Sequence, residues 1–187
     1  MLVAVVGPSG AGKDTLLAGA RMRIGPDARL RFVRRAITRP AEAGGEDHEP
    51  FDRDAFLRRR DAGGFALWWE AHGLLYGIPR DIEPDLASGR CVVANLSRRA
   101  LPEAAARFPL LVLEITAPPA VLAARLAARG REDPDAVAAR LAREAPLPPS
   151  LRVRRVVNDG AVEDGAARVV RTLLDAAGPE GEAWPRD

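Results

Sequence analysis

The 187 residues, 47% hydrophobic and 29% charged, suffice for one ordinary core and are too few for two comfortable domains, so one domain with an insertion is expected. No apolar run approaches the roughly 18–20 residues of a membrane span, and the single cysteine, Cys91, excludes an internal disulfide or a multi-cysteine metal cage, so an unexported cytoplasmic protein is expected. Basic and acidic residues, 28 and 26, leave a formal charge of only +2, which gives no reason to expect nucleic acid as a partner.

In chain order, the apolar run Leu2–Val6 reads as a buried strand, followed by a glycine-rich loop and a helix start at residues 16–20. Residues 31–37 read as a second strand. From about residue 38 to 80 the periodicity breaks into a Gly-, Pro- and acid-rich stretch with one short amphipathic segment, 54–60, read as a small acceptor-binding insertion. Cys91–Asn95, Leu110–Thr116 and Val153–Val157 read as further strands, and helical patterns fill 98–107, 119–129, 134–144 and 162–176. The tail, 178–187, reads as loose. Strands alternating with helices predict a three-layer α/β/α fold with a mostly parallel sheet, its core formed by residues 1–37 and 81–177.

The loop is Gly7-Pro8-Ser9-Gly10-Ala11-Gly12-Lys13-Asp14-Thr15. Strand, glycine loop and helix start stand in the order of a phosphate cradle, in which successive backbone N–H groups and a helix N-terminus meet phosphate oxygens where a Cβ would block approach. Lys13 is the only lysine beside 27 arginines, and it stands where a compact ammonium reaches the outer phosphates. The residue after this lysine is usually Ser or Thr, whose hydroxyl binds Mg²⁺; here it is Asp14, followed by Thr15. Either Thr15 approaches the metal while Asp14 points aside, or Asp14 is itself a hard oxygen ligand, directly or through water.

Arg125, Arg129, Arg131 and Arg140 flank Gly130 between two helical stretches, so a glycine-hinged lid over about 125–143 would bring guanidiniums to a bound triphosphate. Solvated helix faces are the plain alternative.

Taken together, Gly7 to Thr15, Ile37-Thr38-Arg39-Pro40, Gly45-Glu46-Asp47-His48, residues 65–79, the arginine-rich segment and Val157-Asn158-Asp159 resemble the guanylate kinase-like branch of P-loop phosphotransferases. Within it the chain looks most like the ribose 1,5-bisphosphate phosphokinases. That resemblance implies ATP and Mg²⁺ as cofactors, a sugar phosphate acceptor, and 5-phospho-α-D-ribosyl 1-diphosphate made in phosphonate breakdown. It implies Lys13, Arg125, Arg129 and Arg140 as charge-neutralising residues, Asn158 near the adenine site, and Arg39 with Tyr76 on an acceptor phosphate. Glu46, Asp47 and His48 match acceptor-site positions, with Asp47 also a candidate for sugar hydroxyls, and His72 is read as binding or shaping the sugar phosphate pocket, with a structural role as the alternative.

The chain departs from the guanylate kinase pattern at three positions: two remove base recognition, the guanine-reading glutamate aligning with Leu67 and the base-reading aspartate with Ser97, and one removes a second phosphate-binding arginine, which aligns near Glu42. Asn95 aligns with a strand-end aspartate that supports Mg²⁺, so the metal's carboxylate is expected to have moved to Asp14. The rival expectations are a nucleoside monophosphate kinase and a non-catalytic guanylate kinase-like binding module. The latter would carry a degraded phosphate loop, and this one is intact. Trp68 and Trp69 are read first as packing residues and Cys91 as inert core.

Overall fold

The computed structural model describes residues 1–41, 46–128 and 147–178. The predicted helix at 134–144 and most of the predicted lid lie outside these residues, as does the tail beyond Gly178.

The strands β1 (Leu2–Val6), β2 (Leu30–Phe32), β7 (Cys91–Asn95), β8 (Leu110–Thr116) and β9 (Val153–Val157) form one sheet in the order β2-β7-β1-β8-β9, every pair parallel. β1 is central and all five of its residues are buried, as its unbroken apolar run requires when both faces of a sheet are covered. Strand alternation divides the core. Val3 and Val5 pack with Val93, Leu113 and Ile115 against Leu16 and Ala20 of α1 (Lys13–Ile24), and against Val169 and Leu173 of a C-terminal helix (Val162–Ala177). Leu2, Ala4 and Val6 face the other way with Val92, Ala94 and Val112. There they meet Ile82 of α3 (Ile82–Ala87) and Leu101 and Ala104 of α4 (Leu101–Arg107). The predicted three layers and parallel sheet are present.

Residues 31–37 are not one strand. β2 ends at Phe32, Val33 still donates to the Val93 carbonyl at 2.9 Å, and the chain then crosses to a second sheet that it enters as β3 (Ala36–Ile37). This sheet has the order β4-β3-β6-β5, with β4 at Glu49–Pro50, β5 at Phe65–Ala71 and β6 at Leu74–Pro79. The sequence reading saw only the helix here, observed as α2 (Arg53–Asp61) and capped by Asp52, whose Oδ1 accepts from the Ala55 N–H at 2.7 Å. β5 and β6 escaped it because this hairpin is buried on both faces over most of its length and so lacks strict polar alternation.

Register decides which side chains of the small sheet meet the core. Ile37 pairs with Tyr76, Tyr76 with Trp69, and Ile78 with Leu67, so these residues share one face. Leu67, Trp69 and Ile78 on that face join the core beneath β1 and β7, while Ala36, Phe65 and Leu75 on the reverse pack against Phe56 of α2. By the same two-residue period, Arg35 belongs to the face that looks toward the parallel sheet.

Candidate active site

The phosphate loop leaves β1 at Gly7, where φ is +151° and an added Cβ would lie 1.9 Å from the Ile115 carbonyl oxygen; no other residue fits. The loop ends at Gly12, in the left-handed region with φ 84°, and α1 begins at once with Lys13. Main-chain N–H groups of the first turn therefore face the loop's hollow without intrahelical acceptors. Lys13 is half-buried and donates to the carbonyls of Gly7 at 2.7 Å and Pro8 at 3.0 Å, which holds its ammonium against the loop. Ser9, Asp14 and Thr15 are exposed, and Pro8, Gly10 and Ala11 are buried.

Asn158, expected beside the adenine, is 2% exposed and braces the loop from beneath. Its backbone N–H donates to the Thr116 carbonyl at 2.6 Å, and its Nδ2 donates to the Ala11 carbonyl at 2.8 Å. Arg125 stands on α5 (Pro119–Ala127), a helix packed so closely on the loop that a Cβ on Gly10 would lie 3.1 Å from Leu126 Cγ. The Arg125 Nη1 is buried and finds no hydrogen-bond partner among the described residues. Arg129 and Arg140, with Arg131, fall outside those residues.

Toward the small sheet, Asn95 at the end of β7 donates from Nδ2 to Asp14 Oδ1 and to Glu46 Oε2, both at 3.0 Å. One neutral amide thus holds together a carboxylate of the phosphate-binding helix and one of the insertion. Glu46 in turn accepts a fork from Arg35, through Nε at 2.6 Å and through Nη2. The Arg35 guanidinium lies over Tyr76, 5.1 Å from the ring centroid, and over Trp69 at 5.7 Å, and the two rings stack at 5.4 Å with planes 4° apart. Arg35 was absent from the expected site. Its signal lay in the two-residue spacing to Ile37 and Arg39, readable only once β3 is known to be a strand.

Arg39 is half-buried; its Nη2 lies 3.4 Å from His48 Nδ1, and its Nε is buried without a partner among the described residues. His48 is 4% exposed, its Nδ1 3.0 Å from the Glu46 carbonyl and its Nε2 3.1 Å from that of Arg39, so the ring bridges the main chain at these two residues. Asp47 is exposed and pairs with Arg34 at 2.9 Å. Asp14, Thr15, Arg34, Glu46, Asp47 and Asn95 share the wall of a cavity of about 870 Å³. His72 is exposed at the tip of the β5–β6 hairpin, with φ 53°, followed by Gly73 at 73°. Leu67 is 1% exposed within the core and offers no polar group to a base, and the half-buried Ser97 caps a short helical turn, its hydroxyl accepting from the Arg99 N–H at 3.3 Å.

A glycine loop running from a central parallel strand into a helix, opposite a small sheet with two arginines on its flank, defines a P-loop phosphotransferase of guanylate kinase build. The guanylate kinase of Anaplasma phagocytophilum superposes with a TM-score of 0.68 at 20% identity, over 96% of this chain and 87% of that one. The chain belongs to the ribose 1,5-bisphosphate phosphokinase family. It is 48% identical over 177 residues to the ribose 1,5-bisphosphate phosphokinase PhnN of Pseudofrankia inefficax, covering 94% of this chain and 92% of the relative. It is also 51% identical over 172 residues to a bifunctional ribose 1,5-bisphosphokinase-thymidine phosphorylase of Azorhizobium caulinodans. That match covers 91% of this chain but only 25% of the longer relative. No family model matches.

Proposed function

We propose that the chain transfers the γ-phosphoryl group of ATP to the 1-phosphate of ribose 1,5-bisphosphate, giving 5-phospho-α-D-ribosyl 1-diphosphate and ADP. An oxygen of the 1-phosphate attacks the γ-phosphorus in line as the bond to the β–γ bridging oxygen breaks. The acceptor is a phosphate monoester, anionic near neutral pH, so no general base is required. That agrees with a buried His48 whose ring nitrogens both face main-chain carbonyls and with His72 at an exposed hairpin tip.

Residues 7–15 cradle the triphosphate: Gly7, Gly10 and Gly12 hold positive φ where a Cβ would run into Ile115, Leu126 and Asn158 beneath the loop, and Lys13 serves the outer phosphates. Arg125, with Arg129 and Arg140 beyond the described residues, neutralises charge on the moving group. Asn158 acts on the nucleotide by bracing the loop. Among the described residues no cluster of three or more His, Cys, Asp or Glu could cage a metal. Mg²⁺ in kinases commonly takes one or two carboxylates, with phosphates and water completing its shell, and the exposed Asp14 and Thr15 fit that role. Bound there, Mg²⁺ would supply charge neutralisation at the β- and γ-oxygens. Arg39 and Tyr76 anchor the acceptor, with Asp47 at its hydroxyls, and His48 and His72 shape the acceptor side.

The observation that carries this reading is the pairing of an intact phosphate loop with an acceptor sheet whose base-reading position is a core leucine. A site that reads a base edge gains roughly 10⁴-fold selectivity from buried polar partners, and Leu67 supplies none. No helix among the described residues is long and apolar enough to cross a membrane, which agrees with work in the cytoplasm. The test is to incubate the protein with Mg·ATP and, separately, ribose 1,5-bisphosphate, GMP, AMP and ribose 5-phosphate. The diphosphate product should form from the first, and GDP as the main product would overturn the assignment.

A further inference from the structure

We propose that Arg35 is a second anion anchor of the acceptor site. Its unoccupied guanidinium edge grips the acceptor phosphate that faces the phosphate loop, so that it selects a doubly phosphorylated sugar over a singly phosphorylated one. The inference rests on the function proposed above and names what in that site reads the substrate's second phosphate.

A guanidinium carries five N–H donors on a planar fork. In Arg35 the side edge, Nε–H with one Nη2–H, is spent on the two oxygens of Glu46. The end edge, Nη1 with the remaining Nη2 proton, makes no hydrogen bond within the described residues. An arginine paired along one edge keeps two parallel donors for a phosphate on the other, and the first pair fixes the plane in which those donors point. Both partners are largely shielded, the Arg35 side chain 12% and the Glu46 side chain 13% exposed, so the fork is held at low local dielectric, where an anion contact counts most. Its flat face is taken by the Tyr76 and Trp69 rings, leaving the edge as the part that meets a ligand.

Position assigns the phosphate. Glu46 shares Asn95 with Asp14, the neighbour of Lys13, which puts Arg35 on the nucleotide side of the acceptor sheet. Arg39 instead leans on His48 and, with Thr38, Pro50 and Phe51, lines a cavity of about 530 Å³ at the sheet's other end. The two arginines stand four residues apart, on either side of Ala36–Ile37, and because the chain bends at Thr38 and Arg39 their Cα atoms lie no more than about 13 Å apart. Long side chains at that spacing can close on the two ends of one sugar bisphosphate, Arg35 at the reacting 1-phosphate and Arg39 at the distal 5-phosphate.

The test compares wild type and Arg35→Met by calorimetric titration with ribose 1,5-bisphosphate, ribose 5-phosphate and ATP, together with steady-state kinetics. Arg35→Met should weaken the bisphosphate at least tenfold and lower kcat, while ribose 5-phosphate and ATP bind within twofold of wild type. Equal losses for all three ligands would mean that Arg35 only staples the insertion, and an unchanged bisphosphate affinity would mean that it does nothing in recognition; either overturns the inference. Should the Met variant not fold, Arg35→Lys keeps the charge beside Glu46 but not the fork, and the same ratio is read from it. A wild-type protein that neither binds nor phosphorylates the bisphosphate would remove the proposed function itself. A wild type that does both beside an indifferent Arg35 variant would remove this inference alone.

Discussion

Replacing Gly12 by Ala places a Cβ 2.5 Å from Nδ2 of Asn158 on a backbone held at φ 84°. Holding a non-glycine residue in the left-handed region costs about 1–2 kcal/mol. The amide must also move, breaking its 2.8 Å bond to the Ala11 carbonyl inside the protein, which adds about 1–3 kcal/mol for polar groups left unpaired. The sum, about 2–5 kcal/mol, is a large fraction of the roughly 5–15 kcal/mol that holds a domain folded. Asn158→Ala alone should cost only the hydrogen-bond part. Because the two changes break the same bond, the double variant should be less destabilised than the sum of the singles by about 1–3 kcal/mol, a coupling that separate sites do not show. Urea unfolding of all four proteins measures the cycle, and ATP titration of the folded variants should show weakened binding for both singles. Additivity within about 0.5 kcal/mol would refute the idea that Asn158 and Gly12 form one latch under the phosphate loop.

Asp14→Ser should raise the Mg²⁺ concentration needed for half-maximal turnover and leave folding intact, since Asp14 is exposed; an unchanged Mg²⁺ dependence removes it as a ligand. Glu114, its side chain 8% exposed, accepts from Arg98 Nη2 at 3.0 Å and from Arg155 Nε at 2.7 Å. Glu114→Gln should therefore cost about 1.5–3 kcal/mol in urea unfolding by weakening the two charge-assisted hydrogen bonds that the buried carboxylate accepts, whereas a change below about 0.5 kcal/mol would place the pair among weak surface bridges, typically worth about 0–1 kcal/mol. Burial pushes the Cys91 thiol up to about 11, so the folded chain keeps a proton that the unfolded chain gives up from about pH 9. Stability should thus decline as pH rises from 9 toward 11, and a thiol reagent at pH 8 should react with Cys91 only after denaturation; rapid labelling of the native protein would contradict a core cysteine.

The phosphate loop was legible from the chain alone because its parts are contiguous. Residues 7–15 build their own hollow from local backbone geometry, and each glycine and the lone lysine carry their meaning in place. The five strands of the parallel sheet were legible for a related reason: strands buried on both faces write themselves as unbroken apolar runs, although only tertiary pairing showed that 31–37 is cut where the chain leaves one sheet for the other. Arg35 could not be found this way. Its partner Glu46 is 11 residues away, Glu46 meets Asn95 across 49, and Asn95 meets Asp14 across 81. The register of Ile37 with Tyr76 then turns Arg35 toward the parallel sheet and places the rings against it. Sequence by itself determined the phosphate grip, because a loop folds on its own neighbours. Tertiary structure decided which of 27 arginines packs between Glu46 and the stacked Tyr76 and Trp69 rings, because a guanidinium is assigned by the charges and rings that distant strands bring to it.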